Sequence, residues 1–240
     1  MKKLTKILFA LLILLIVFAG IMTFIHQDEP QLLIILDENV TIVGNNSNGT
    51  VYKIMCGNAS SNDTAILILG VHSLEGGIHN ATYASIMNLT EHDNLSRKFI
   101  VYFIQLNYED SGMNTSEYNT NRHMGELLAY EYVVPDIENY DPYIVMDVHE
   151  MESYWDEQKY VGVLNNKSSV EMEYADTLSK AFDYPIFRIN AGTSPKWVTV
   201  PISKKGHDVI LFETPQKNTQ YQKSQTAVKL IKTIDSLPIY

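Results

Sequence analysis

"AILILGVHSLEGG", residues 65–77, decides how this chain is read. Ala65 to Val71 carries no charge, and its length and aliphatic content read as a strand buried on both faces. Where the strand runs out come His72, the two residues Ser73-Leu74, Glu75 and the pair Gly76-Gly77. A histidine and a carboxylate three apart, at the end of a buried strand, need a chemical reason.

Working outward, strand-like and helix-like segments alternate. Residues 40–44 and 51–55 read as a hairpin. Residues 80–89 read as a helix, 98–108 as a strand, 120–134 as a helix ending before Pro135, and 143–151 and 159–165 as strands. An amphipathic helix with a serine cap covers 168–182, strands fall at 185–189 and 208–214, and a closing helix spans 220–237. Long buried strands with intervening helices predict an α/β fold built on a mixed, partly parallel sheet flanked by helices. There is no internal repeat.

In open α/β sheets, sites form beyond the carboxyl ends of the strands. The strand at 65–71 delivers His72 and Glu75 there, "MDVHEM" delivers His149, and "ILFETP" delivers Glu213. The strand at 98–108 leads on to Asn121-Arg122. Two histidines and a glutamate form one of the ligand sets of catalytic zinc, with a fourth position left for water. Such a metal lowers the pKa of its water to ~7 and polarises a carbonyl. Glu213 would take the proton of that water and pass it to a leaving amine. Asp147 lies two residues before His149, on the same side of the strand, where it can orient an imidazole. Gly76 and Gly77 would let backbone and substrate approach the metal closely, or simply make a turn.

The ordered set "GVHSLEGG", "NR" about 50 residues on, "MDVHE", and "FET" 64 residues after His149 resembles the zinc carboxypeptidases. Its compact spacing is most similar to their succinylglutamate desuccinylase/aspartoacylase branch, over roughly residues 60–215. The resemblance implies one Zn2+ per chain held by His72, Glu75 and His149, with Glu213 as general base and then acid. It implies that Asn121 and Arg122 grip a substrate carboxylate, a task suited to the bidentate guanidinium. It further implies a small peptide or acyl-amino-acid substrate. The chain departs from the family at Ser73-Leu74, where many relatives have glycine after the first histidine. It also has no second arginine shortly before the Asn-Arg pair. Only Arg97, Arg122 and Arg188 exist, and Arg188 or His207 is the candidate substitute. A lost oxyanion donor costs ~10²–10³ in rate, so an impaired enzyme serving as a surface binding or structural domain is the alternative reading.

The first residues differ from the rest. Lys2, Lys3 and Lys6 precede an apolar run from Ile7 to Ile25. Nineteen helical residues at ~1.5 Å each span about 30 Å, one bilayer core. The expectation is a membrane anchor over residues 1–28, with the hydrolase-like domain of 29–240 outside the cell membrane, as the flanking lysines dictate. A cleaved signal peptide is the rival, although "FAGIMTF" lacks a good cleavage site. Beyond the anchor lysines, 15 basic residues face 28 acidic ones, which argues against nucleic acid and against a basic lipid-binding patch.

Ten Asn-x-Ser/Thr sequons begin at Asn39, Asn45, Asn48, Asn58, Asn62, Asn80, Asn88, Asn94, Asn114 and Asn166. The composition predicts only about two or three by chance, so N-linked glycans are expected. Cys56 is the only cysteine. It excludes an internal disulfide and a thiolate zinc cluster, and reads as a buried thiol.

Taken singly, each site residue has an ordinary alternative. Arg122 could form a surface pair with Glu126 four residues on. His79, His92, His123 and His207 read as surface residues, and Glu150 and Glu152 as solvated acids, Glu150 lining the cleft. Trp155 and Trp197 could flank the cleft or pack. "NAGTSPKW", 190–197, reads as a loop able to cover the site.

Overall fold

A computed structural model describes residues 38–240 except 108–114, 154, 156–157, 166–167 and 190–192. All of these belong to one unit, Leu32–Tyr240. The anchor expected over residues 1–28 lies outside the described residues. Among the described residues no helix is long and apolar enough to cross a membrane.

The strand that opened the reading stands near the middle of an eight-stranded sheet. Its strands are β1 (Val40–Asn46), β2 (Gly49–Gly57), β3 (Thr64–Leu69), β4 (Lys98–Leu106), β5 (Pro142–Met151), β6 (Tyr160–Leu164), β7 (Ile186–Ile189) and β8 (Val209–Pro215). Their order is β1-β2-β4-β3-β5-β8-β6-β7. β3 pairs in parallel with β4 and β5, as do β5 with β8 and β6 with β7, while the remaining pairs are antiparallel. The sheet is mixed and partly parallel, as the alternation of elements predicts.

β3 is buried along its whole length because both faces are covered. Leu67 and Leu69 pack with Met146, Val148 and Phe212 against helices α1 (Gly76–Glu91), α4 (Ser169–Phe182) and α7 (Gln220–Asp235). Ile66 and Ile68 pack with Val145 on the other face, against α2 (Thr115–Leu128), α3 (Val134–Ile137) and α6 (Thr199–Lys204). Each fully buried Leu or Ile contributes ~1.5–3 kcal/mol, so the two-sided burial of one short strand fixes its register firmly.

Two elements differ from expectation. The helix read over 120–134 does not stop before Pro135. It widens into a π turn at Ala129–Val133 and resumes as α3, with Pro135 in the first turn. The π turn widens the helix just before Pro135, which lacks the N–H needed to continue the ordinary ladder. The loop read over 190–197 contains a short helix, α5 (Thr193–Trp197), which leads into α6.

The strand order sets the position of the site. β3 connects through α1 to β4 on one side, whereas β5 connects onward to strands on the other. The crevice beyond the carboxyl ends of β3 and β5 is therefore a topological switch point, the place where such sheets bind ligands.

Candidate metal centre

His72 and Glu75 are supplied by the turn after β3, where Ser73–Glu75 forms one 3₁₀ turn before α1. His149 is supplied by β5. One donor atom from each lies within 4.8 Å of the others. Glu75 sits between the rings: its Oε1 is 2.7 Å from His72 Nδ1 and its Oε2 is 2.8 Å from His149 Nδ1. The ring centroids are 4.7 Å apart, and all three residues are almost wholly buried.

The outer ring nitrogens are held as well. Asp147 Oδ1 lies 2.8 Å from His149 Nε2, and Thr199 Oγ1 on α6 donates to Asp147 Oδ2 at 3.4 Å. Glu126 Oε1 lies 3.3 Å from His72 Nε2. A carboxylate behind each imidazole fixes the tautomer that leaves Nδ1 as a ligand, the usual support for a metal-binding histidine. Glu126 reaches His72 because α2 descends onto the end of β3 at Gly125, where a Cβ would collide with the Val71 carbonyl oxygen. The Arg122–Glu126 surface pair is not what the structure shows: Glu126 is buried and faces His72 and His123.

Glu213 on β8 is the register partner of His149 across the β5–β8 pair. Tyr160 on β6 is the register partner of Glu213 on the other side. These three therefore form one row on one face of the sheet. Burial, with the charges of Glu75 and Asp147, pushes the Glu213 carboxyl up to about 8. Burial first, and then the charge of Glu213, also raises the Tyr160 phenol, which stays protonated. Glu213 Oε2 is buried with no hydrogen-bond partner among the described residues.

Burial opposes charge on His149, but Asp147 and Glu75 outweigh it and raise its pKa well above the ordinary value. Burial alone would raise Glu75, yet the two imidazoles hold it well below the usual carboxylate range. Two imidazole nitrogens and a carboxylate, each electrostatically tied to the next, suit a divalent cation of the zinc type.

Asn121 is buried on α2, and Arg122 beside it points to the same centre. Arg122 Nη1 lies 4.0 Å from Glu75 Oε1 and 3.6 Å from Glu152 Oε1. Of the three arginines, only this one reaches the site. Arg188 pairs with Val163, three residues along β6 from Tyr160, toward the far end of the sheet. His207 precedes β8, also at that end. Neither can stand in for a second arginine.

Further expectations are corrected. His79 is buried, not on the surface, bonded at 2.8 Å to the Val148 carbonyl; burial lowers its pKa to about 4, so it is neutral. Glu150 does not line the cleft. Its side chain crosses to the other face of the sheet and pairs with buried Lys223 of α7 at 2.9 Å. Gly77 makes room for that ammonium rather than for the metal, since a Cβ there would collide with Lys223 Nζ. Glu152 is paired with Arg122, not solvated. Trp197 packs against His123 and Tyr130, while Trp155 is exposed. Cys56 is buried, its thiol pushed up to about 12 by that burial, and is inert.

No protein-family model matches the sequence, and no curated protein sequence does. Solved structures do match. A metallo-carboxypeptidase from Burkholderia cenocepacia superimposes with a TM-score of 0.53 at 11% identity, over 82% of this chain and 63% of that one. The product-bound cell shape determinant protein Csd4 from Helicobacter pylori gives 0.54 at 11%, over 78% and 56%. The ectoine utilization protein EutE (DoeB) from Ruegeria pomeroyi, also product-bound, gives 0.50 at 12%, over 77% and 60%. The chain thus spans less than two thirds of the length of each of these proteins. What the likeness shows is a shared fold.

Proposed function

We propose that this chain is a membrane-anchored, extracytoplasmic zinc-dependent hydrolase that cleaves an amide bond next to a free carboxylate. The observation that carries the reading is the convergence of His72 Nδ1, Glu75 and His149 Nδ1 beside a buried acid with an unpaired oxygen, Glu213 Oε2. His72, Glu75 and His149 would hold one Zn2+. A zinc ion bound there supplies a water acidic enough to ionise near neutral pH and a Lewis acid for the scissile carbonyl.

The chain's own residues do the rest. Glu213 Oε2 accepts a proton from the attacking water and returns it to the leaving nitrogen, a transfer suited to a carboxyl raised toward neutral pH. Tyr160 stands beside the same carboxylate on the neighbouring strand. Asn121 and Arg122 bind the carboxylate of the leaving group. Product-bound and tripeptide-bound forms of Csd4 support a peptide substrate, and an N-acyl amino acid would use the same groups.

The outside location rests on the N-terminal lysines and apolar run, and on the sequons. Among their described asparagines, Asn39, Asn45, Asn58, Asn62, Asn88 and Asn94 are exposed, and Asn48 and Asn80 are half-buried, which supports N-linked glycans. One specific observation favours a second reading, a binding domain without turnover: the site has a single arginine.

Metal analysis of the purified full chain, followed by a panel of C-terminal peptides and N-acyl amino acids, tests both. About one zinc per chain with turnover on the panel is expected. Zinc without turnover on any member would leave the binding domain as the better account.

A further inference from the structure

The ammonium of Lys223, on α7, lies 2.9 Å from Glu150 Oε1 and 3.1 Å from Oε2, and neither side chain is more than 7% exposed. An ion pair this deep is a poor device for stability. Desolvation offsets most of its attraction, and an apolar pair of similar volume is often as stable or more so. Its place in the fold gives it another use.

Glu150 is held on two sides. Its carboxylate meets Lys223, while its backbone N–H donates to Glu75 Oε2 at 3.1 Å. That oxygen is the one 2.8 Å from His149 Nδ1. The peptide between His149 and Glu150 therefore joins two of the three candidate metal ligands. The carbonyls nearby have other partners: His79 bonds to that of Val148, and the Thr214 hydroxyl donates to that of His149.

Lys223 also bears on the turn that supplies Glu75. Its stem crosses Gly77, where a Cβ would collide with Nζ and crowd Cδ and Cε. The head of α7 is itself fixed. Thr219 and Gln222 form a capping box. Just before it, Gln216 donates its backbone N–H to the Met151 carbonyl and its side-chain amide to the Leu74 carbonyl, both at 3.0 Å. One end of α7 is thus tied to the strand carrying His149 and to the turn carrying Glu75.

Resting on the metal-centre reading above, we propose that Lys223 is a positioning residue for the metal. Through Glu150 it fixes Glu75 against His149, so that the ligands stand in place before the ion arrives. A supporting partner of this kind raises metal affinity without touching the metal. An apolar pair could fill the same space, but its contacts are non-directional and would not hold the peptide to one position.

The test compares metal-free full chains of the wild type, K223M/E150M and G77A. Circular dichroism gives the Tm of each metal-free chain, and competition with a chromophoric chelator gives its zinc Kd. The Tm of K223M/E150M should equal or exceed that of the wild type. Its zinc Kd should nevertheless weaken by about 10–100-fold, a split that a merely structural pair would not produce. G77A alters no charge, but its Cβ displaces the ammonium, and its zinc Kd should weaken in the same direction.

A wild-type zinc Kd in folded K223M/E150M overturns the proposal and leaves the metal centre standing. Should that variant not fold, G77A carries the test, and an unchanged Kd there overturns the proposal. A wild-type chain that binds no zinc removes the metal centre itself, and the proposal with it.

Discussion

The two ends of the central strands handle charge in opposite ways. At the amino end, the Asp235 carboxylate accepts hydrogen bonds from the backbone N–H groups of Ser96 and Arg97 at 2.9–3.1 Å and from Ser96 Oγ at 2.9 Å. Arg97 donates to the Leu237 carbonyl at 2.6 Å and lies over the Tyr143 ring. These groups are part-exposed and tie the chain's last helix to the start of β4. At the carboxyl end, Glu75, Glu126, Asp147 and Glu213 are packed around two imidazoles, all buried. Burying so many carboxylates costs several kcal/mol per ion before pairing. The imidazoles, Arg122, the Thr199 hydroxyl and the Glu150 N–H offset part of that cost. One end is built for stability, and the other holds strained electrostatics that a function must justify.

The sharpest way to break this contrast is to remove a ligand. His149→Ala leaves Glu75 and Asp147 as buried acids without the imidazole between them. Zinc content should fall from about one per chain to near zero and turnover should vanish, as read by elemental analysis and a hydrolysis assay. Retention of stoichiometric zinc would move the metal away from this centre.

Glu213→Gln comes next, because it keeps shape and removes the proton acceptor. Zinc should stay bound while kcat falls by ~10²–10⁴, the usual contribution of a positioned general base. Unchanged kcat with zinc in place would assign the proton transfer elsewhere.

The contrast also shows what a sequence can and cannot disclose. His72, Glu75, His149 and Glu213 were legible because each stands where a buried run stops, and because strand ends converge in an α/β sheet. Asp147 was legible from the two-residue period that puts it on the side of His149. The same period places Glu150 on the opposite face, so its departure from the cleft was available and was overlooked. Glu126 was hidden, since its spacing from Arg122 suits a surface pair. Its true partner depends on how closely Gly125 lets α2 approach Val71. Tyr160 and Lys223 were hidden for a related reason: strand register and helix docking brought them in, and neither has a local signature. The N-terminal segment is legible only as an apolar run.

A smaller effect concerns pH. The folded Glu213 carboxyl titrates at about 8 against an ordinary value of 4.5. Between those values the folded chain binds more protons than the unfolded one, so stability falls as pH rises through that window. His149 has the same sign: its raised pKa adds stability that is complete below 6.5 and is lost as pH climbs through the higher folded value. Glu75, held low, acts oppositely, and its contribution is lost only below about 4.5 as the medium turns acid. The chelator-treated chain should therefore lose melting temperature steadily from pH 5.5 to 8.5. Glu213→Gln should flatten the slope. Zinc should reverse it, because metal and protons compete for the same ligand atoms. A flat profile for the chelator-treated chain would mean that the site end stores no such charge.

The smallest effect belongs to the amino end. Asp235→Ala removes an acceptor shared by two backbone N–H groups and a hydroxyl. Those donors are part-exposed and can turn to water, so the loss is that of ordinary charged hydrogen bonds, about 1–2 kcal/mol. For a domain of this size that corresponds to a fall of about 2–8 °C in Tm. Zinc content and kcat should not move, because the change lies a full strand length from His72 and His149. Should Asp235→Ala alter metal affinity as much as stability, the two ends would be coupled through β3 and β4. The division between a stabilising end and a chemical end would then be wrong.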